Sequence, residues 1–357
     1  MTLNVLNVSL SSIVLAVATA SSSGVFADDR VEINAREQWS NLFSDQPAEF
    51  HFAINARQHF KGRAMWTLSI GRRTVAQEEA AIAAEPAKPA ELLGRLPPVP
   101  VKNGVVVQAQ LAISVFADAG AKPEATADKT LWIFPANPFV DRTQWLKELK
   151  ITLFDPREAT AGLLQKLNVP FEETRNLASV GEMNDGVLVI GEGISLRDYR
   201  ELPEVMFKAA ARGVSVVCLA PADGLIPIPG SAAAELPAPK SISWRRQDVI
   251  TELDKRLDAA AWPAHGKVVA SSLVLKADAG AVVAEVVREQ AGWPWLEARF
   301  SAKRGTLVVC GFAIVEAWEH SPTPRYVLSR LLEHVSADPQ KAQDELSPSQ
   351  GESRHEN

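Results

Sequence analysis

Two cysteines, six histidines and a few grouped carboxylates are the residues here that could do chemistry, and their spacing restricts what that chemistry can be. Cys218 and Cys310 both sit inside apolar runs, Val214–Leu219 and Thr306–Phe312. The thiolate is the reactive form of cysteine, and without a base a thiol of reference pKa near 8.5 stays mostly protonated at neutral pH. Adjacent strands could bring the pair within the ~7 Å Cα separation of a disulfide. Free thiols acting as small buried hydrophobes fit the apolar surroundings better. His51, His59, His265, His320, His334 and His355 are scattered, with no His-Glu-x-x-His or Cys-x-x-Cys spacing, so no metal is expected. Gly191-Glu-Gly193 lacks the remaining glycine of a dinucleotide fingerprint and reads as a tight turn, so no cofactor is expected either. Trp293 and Trp295 lie in a Gly/Pro turn beside Glu297, while Glu316, Glu319 and His320 follow the last apolar run. Flat indole rings can stack on sugar faces, so Trp293, Trp295 and Glu297 are the ligand-binding candidates. The same rings fill cores in any fold, which is the simpler expectation. Cys218, His320 and Glu316 are the catalytic candidates.

The elements that must position these residues are organised around Asp185–Leu219. Two short β-branched runs, Val187–Ile190 and Val214–Leu219, bracket a segment with apolar residues at Ile194, Leu196, Tyr199, Leu202, Val205, Met206 and Phe207. Runs of this kind bounded by glycine read as strands buried on both faces, and the segment between has helical spacing. Strand, helix and strand make a βαβ unit with a parallel sheet. Ile151–Phe154 reads as a preceding strand, followed by Asp155-Pro156-Arg157-Glu158, a helix start with Asp155 as cap and a helix to about Leu167. Asp155 would also lie where open α/β sheets place ligands, although capping already accounts for it. Pro221–Lys240 reads as a loop and Asp248–Ala260 as a helix. Lys267–Leu275, Ala281–Glu289, Leu296–Phe300 and Thr306–Phe312 read as strands, and Arg325–Val335 as the final helix.

Residues 28–140 have a different period. Glu49–Asn55, Ala64–Ile70, Val105–Phe116 and Thr130–Phe134 alternate apolar and polar residues, which predicts an antiparallel β-sandwich of immunoglobulin type without its cysteine pair. Ala80–Pro100 and Asp118–Lys129 read as surface loops. Residues 141–150 form a connector with a short helix, residues 151–335 an α/β domain, and residues 336–357 a polar disordered tail. The first 27 residues carry no charge. An apolar stretch, Leu10–Ala20, and Val25-Phe-Ala27 before Asp28-Asp29 predict a signal peptide cleaved near Ala27 and export, periplasmic or secreted. An uncleaved anchor is the alternative. The net charge of −6 and the absence of a basic run exclude an electrostatic case for nucleic acid or an anionic membrane.

Trp132-Ile-Phe-Pro135, Asp185–Gly193, Arg212-Gly-Val-Ser-Val-Val-Cys-Leu219, Gly305–Gly311 and Ser321–Leu332 carry a resemblance. The chain resembles the immunoglobulin-like sandwich and the class I glutamine amidotransferase-like domain found as accessory modules in family-2 β-galactosidase-like proteins. The resemblance implies a flavodoxin-like three-layer α/β domain behind the sandwich. An active amidotransferase would need its cysteine on a sharp strand-to-helix turn with a histidine–acid pair. Cys218 is followed by Leu219-Ala220-Pro221 and lacks that elbow, and the His-x-Glu pair is missing. There is no room for a catalytic (β/α)₈ barrel. The expectation is therefore an exported, non-catalytic protein binding a carbohydrate or protein partner. The alternative is a hydrolase acting on a carbohydrate or amide at the C-terminal sheet edge.

Overall fold

The computed structural model describes residues 30–118, 120–227, 237, 239–258, 273–276, 284–286, 294–300 and 305–337. The proposed signal peptide, Trp293 and most of the proposed tail lie outside them. The chain is mixed α/β with a high sheet content.

The first eight strands are β1 (Val31–Ala35), β2 (Asn41–Phe43), β3 (Ala48–Ala56), β4 (Phe60–Ile70), β5 (Arg73–Ala84), β6 (Ala90–Leu96), β7 (Val107–Ala117) and β8 (Ala125–Phe134). They form a three-stranded sheet, β1-β3-β6, and a five-stranded sheet, β2-β8-β7-β4-β5. Their inward positions share one core that includes Phe50, Phe52, Ile54, Trp66, Leu68, Leu111 and Ile133. Alternation produces this directly: in β4, Ala64, Trp66 and Leu68 are buried while the residues between them are partly exposed. All pairings are antiparallel except β2 with β8, where Leu42 lies opposite Ile133. Ala80–Pro100 is not one loop: Ala80–Ala84 and Ala90–Leu96 are strand. β5 runs to Ala84 in one sheet and β6 opens at Ala90 in the other, with Pro86 and Pro89 between the two strands. Alanine is a poor strand former and hid both strands, but Ile82, Ala84 and Leu92 are buried.

After helix α1 (Thr143–Glu148) come β9 (Ile151–Phe154), α2 (Ala159–Lys166), β10 (Glu172–Glu173), α3 (Leu177–Glu182), β11 (Val187–Ile190), α4 (Leu202–Arg212), β12 (Ser215–Leu219), β13 (Leu225–Pro227), β14 (Ser241–Arg245) and α5 (Asp248–Leu253). The chain continues with β15 (Leu273–Lys276), β16 (Ala284–Val286), β17 (Trp295–Arg299), β18 (Thr306–Cys310) and α6 (Pro322–Ser336). Seven strands form one sheet in the order β10-β9-β11-β12-β18-β17-β14, parallel through β18 and antiparallel at β17 and β14. A small sheet, β13-β15-β16, stands apart. Both faces of the large sheet are apolar, as its uninterrupted runs require. Leu153, Val189, Val217 and Val308 face a core shared with α2, α5 and α6, and Leu188, Ile190, Val216 and Val309 face one shared with α3 and α4.

Several helix boundaries differ from the sequence expectation: α5 stops at Leu253 rather than at Ala260, and α6 starts at Pro322 rather than at Arg325. Helix α2 starts at Ala159 because Glu158 takes a left-handed φ of 61° and residues 155–158 close a turn of their own. Asp155 still serves the helix start, accepting from the Ala161 N–H at 2.9 Å. Helix α4 starts at Leu202, with Pro203 in its first turn where a missing N–H costs nothing, and stops at Gly213 with φ 110°. No helix among the described residues is long and apolar enough to cross a membrane.

Candidate functional site

Open parallel sheets take ligands outside the carboxyl ends of their strands, at the point where the strand order reverses. Here that point lies between β9, which ends at Phe154, and β11, which ends at Ile190. The residues that follow are Asp155 and Gly191-Glu192-Gly193. Asp155 is 1% exposed and packs so closely on Gly191 that a Cβ there would lie 2.4 Å from its Oδ1. The Glu192 N–H donates to Thr160 Oγ1 at 2.9 Å. The Glu192 carboxylate accepts from the N–H of Val315 at 2.7 Å and of Glu316 at 2.9 Å. Burial pushes its pKa up, against the lowering effect of these N–H donors. Arg157 closes the outer edge by donating to the Gly193 carbonyl at 2.8 Å. At this rim the side chains of Asp155, Arg157 and Glu192 all bond to the chain's own backbone.

Cys218 does not reach this rim. It lies within β12, fully buried, opposite Val309 of β18 and facing α4. Cys310 is paired with Leu219, one residue out of step, and so faces the opposite side of the sheet. Both are free thiols, and the offset of one residue rules out a bridge between them. Burial pushes the Cys310 thiol up to about 12 and raises that of Cys218 further. Burial thus disfavours the thiolate at both positions.

The other candidates separate. Trp295 is not on a turn: it opens β17 opposite Cys310 and is 1% exposed, so its ring belongs to the core. Glu297, two residues on, is also buried. It accepts from His334 Nε2 at 3.0 Å and pairs with Arg299. Burial would raise its pKa, but the hydrogen bonds and charges of His334 and Arg299 outweigh that and hold it at about 2. Glu297 is thus a structural anion fixing α6 to β17. His334 lies near the C-terminal end of α6, while Glu316 and His320 precede its N-terminus, roughly 20 Å away along the helix. Glu319 is held by Lys166 at 2.8 Å and Arg325 at 2.6 Å. The polar grouping expected from the sequence therefore does not form.

Of those residues His320 lines a cavity, and that cavity lies elsewhere. A space of 220 Å³ opens between β2 with its flanks and the N-terminus of α6. Trp39, Asn41, Glu49, Asp258, His320 and Ser321 are among its walls. Helix α6 is fixed against this strand by Arg325, which is 6% exposed. Its guanidinium lies 4.3 Å from the Phe43 ring and donates to the carbonyls of Trp318 and Ala136, both at 2.7 Å. The Tyr326 hydroxyl donates to the Pro135 carbonyl at 3.0 Å. Sequence reading passed over Trp39, Asn41 and Ser321, because residues about 280 positions apart share no periodic signal. A larger cavity of 400 Å³ lies by the beginnings of β9 and β10, where Lys150 and Asp185 pair at 2.6 Å. Neither cavity is lined by Cys218, Glu192 or Glu316.

No family model matches the chain, and no curated protein does. Solved structures give likenesses at low identity. A glycosyl hydrolase family 2 member from Bacteroides cellulosilyticus DSM 14838 is 11% identical over 70% of this chain and 36% of its own, with a TM-score of 0.23. A cycloisomaltooligosaccharide glucanotransferase from Paenibacillus sp. is 8% identical over 52% of this chain and 27% of its own, at 0.24. Spo0M, a sporulation control protein from Bacillus subtilis, is 9% identical over 33% of this chain and 55% of its own, at 0.23. The chain spans only part of each of these three proteins. Weak structural neighbours of this mixed, sheet-rich chain thus include a family-2 glycosidase, and scores at this level carry no argument about its activity.

Proposed function

We propose that the chain is an exported, non-catalytic binding or scaffold protein. In this reading a degenerate class I glutamine amidotransferase-like domain of flavodoxin type stands behind an immunoglobulin-like sandwich, and the partner is a carbohydrate or a protein. Numbered from β9, the parallel strands run 2-1-3-4-5, the order of flavodoxin-like sheets, which supports the fold half of the reading. The observation that carries the functional half is the Glu192 carboxylate lodged on the N–H groups of Val315 and Glu316. It ties the switch-point rim to the chain's own backbone, while the one thiol near the family's nucleophile position is buried in its strand.

Alkylation of the native protein tests this reading. At pH 7 an iodoacetamide-type reagent should leave Cys218 and Cys310 unmodified for as long as the fold persists, and label both once denaturant is added. Rapid labelling of native Cys218 would overturn it.

One observation favours the hydrolase alternative. The raised pKa of Glu192 is what a general acid requires. Turnover of glutamine or an aryl glycoside that disappears in Glu192→Gln would establish an enzyme. Both Glu192 oxygens are already committed to backbone donors, so no turnover is expected.

A further inference from the structure

Glycine follows an amide or an acid at three places in the chain: Asn103-Gly104, Asp185-Gly186 and Asp223-Gly224. In such a pair the side chain and the next backbone nitrogen can close a five-membered imide, and glycine obstructs this least because it has no Cβ. What decides the outcome is how firmly the fold holds each pair. Two of the three are held. Asp185 accepts from Lys150 Nζ at 2.6 Å, and a Cβ on Gly186 would lie 2.7 Å from the Lys150 carbonyl oxygen. Asp223 Oδ1 accepts from the Ser195 hydroxyl at 2.8 Å and the Arg197 N–H at 3.3 Å. A Cβ on Gly224 would lie 2.4 Å from Leu196 Cβ, so this backbone has no room to turn.

Asn103 and Gly104, in the connection from β6 to β7, are both exposed. A Cβ on Gly104 would meet nothing within 4 Å, and neither the Asn103 amide nor the Gly104 N–H has a partner among the described residues. One bond closes the turn, from the Val105 N–H to the Lys102 carbonyl at 3.0 Å. Gly104 has φ 72° and Asn103 is not left-handed, which makes the turn type II with an Asn103 ψ of about +120°. At that ψ the Gly104 nitrogen points away from Asn103 Cγ, so reaction needs a rotation at Asn103, opposed by that single bond. We infer that Asn103 is a site of spontaneous deamidation. Hydroxide takes the Gly104 N–H proton and the nitrogen attacks Asn103 Cγ. The N–Cγ bond forms, the Cγ–Nδ2 bond breaks, and a proton from water completes the departing ammonia. Water then opens the imide at one of its two carbonyls. Opening at Cγ gives aspartate, and opening at the backbone carbonyl gives isoaspartate. Either product places a new negative charge beside Lys102, and isoaspartate also lengthens the backbone leading into β7 by a carbon atom.

Incubation of the full chain at 37 °C, sampled over weeks and read by peptide mapping with mass spectrometry, tests the assignment. The peptide containing Asn103 should show the mass change from amide to acid and separate into two isomers, faster at pH 9 than at pH 7. Opening one exposed hydrogen bond slows the step by no more than about tenfold relative to the same chain in urea. The peptides containing Asp185 and Asp223 should each stay a single isomer while the chain is folded. Asn103→Gln should remove the acid product from its peptide, and with an exposed, unbonded side chain at that position the variant should fold as the parent does. Conversion of Asn103 more than about tenfold slower in the folded chain than in urea would overturn the assignment. So would isomers of Asp185 or Asp223 appearing in the folded chain as fast as those of Asn103.

Discussion

Glu192 Oε2 lies 2.7 Å from the backbone nitrogen of Val315, 123 residues later in the chain, and this contact joins the turn after β11 to the connection between β18 and α6. The second oxygen makes the same kind of bond to Glu316. Replacing Glu192 with alanine leaves the part-buried Val315 N–H without its acceptor, while water can take over the exposed Glu316 N–H, and should cost about 1–2 kcal/mol in denaturant unfolding. The pH dependence is a separate test. The folded pKa is raised above the ordinary 4.5, so the folded state holds this proton more tightly than the unfolded one. Its contribution to stability therefore falls as pH rises from about 4.5 through the folded value. Glu192→Gln has no such titration, so the stability difference should shift in favour of the variant between pH 4 and pH 8. A wild type that gains on the variant over this range contradicts the assignment.

Two glycines give opposite expectations. A Cβ at Gly191 would lie 2.4 Å from Asp155 Oδ1, and Gly191→Ala should cost about 1–3 kcal/mol as the rim is forced apart. Gly162, inside α2, has nothing within 4 Å of its Cβ position, and Gly162→Ala should stabilise by up to about 1 kcal/mol. Thermal unfolding of the two variants side by side checks both signs, and a neutral Gly191→Ala would show that the crevice is open.

Acid should loosen the last helix. Asp254 accepts from Arg256 and Arg330, and Glu297 from His334 and Arg299. Burial raises both carboxyl pKa values, but these partners outweigh it and hold each at about 2. Depressed carboxylates contribute stability above their unfolded pKa and lose it as pH falls through the folded one, here between about 4.5 and 2. Glu297→Gln should cost on the order of 2–3 kcal/mol at pH 7 and little at pH 2. Urea midpoints across that range are the measurement, and an acid limb of equal steepness in both proteins would remove Glu297 from this role.

The parallel sheet was readable because its strands are short β-branched runs: Val187–Ile190 and Ser215–Leu219 fall within one or two residues of their expected bounds. Strands whose burial depends on small residues were not readable. Ala80, Ala83 and Ala84 give no strand preference, and the Glu85–Pro89 turn between the sheets looked like a loop. Trp295 was misplaced for the opposite reason. Gly292 and Pro294 signal a turn, but one residue later the ring is already in ladder register with Cys310. Individual contacts of the rim could not be read either. Asp155 was visible as a cap, whereas Glu192 shows its role only through nitrogens more than a hundred residues away. The cavity at Trp39, Asn41 and Ser321 is set by how α6 docks on β2, and Arg325, which fixes that docking, looked like an ordinary helix residue.

Strand β18 lies between β12 and β17, although 86 residues separate Leu219 from Thr306 in the chain. A nascent polypeptide that has emerged only through β12 has therefore laid down four parallel strands with an unprotected edge of buried-type residues, Val216, Val217 and Cys218. That edge must wait for the late strand to close a long loop, a step that is slow and prone to mispairing. Synthesis thus contains an interval in which the half-built sheet depends on assistance or dilution to avoid joining a neighbour.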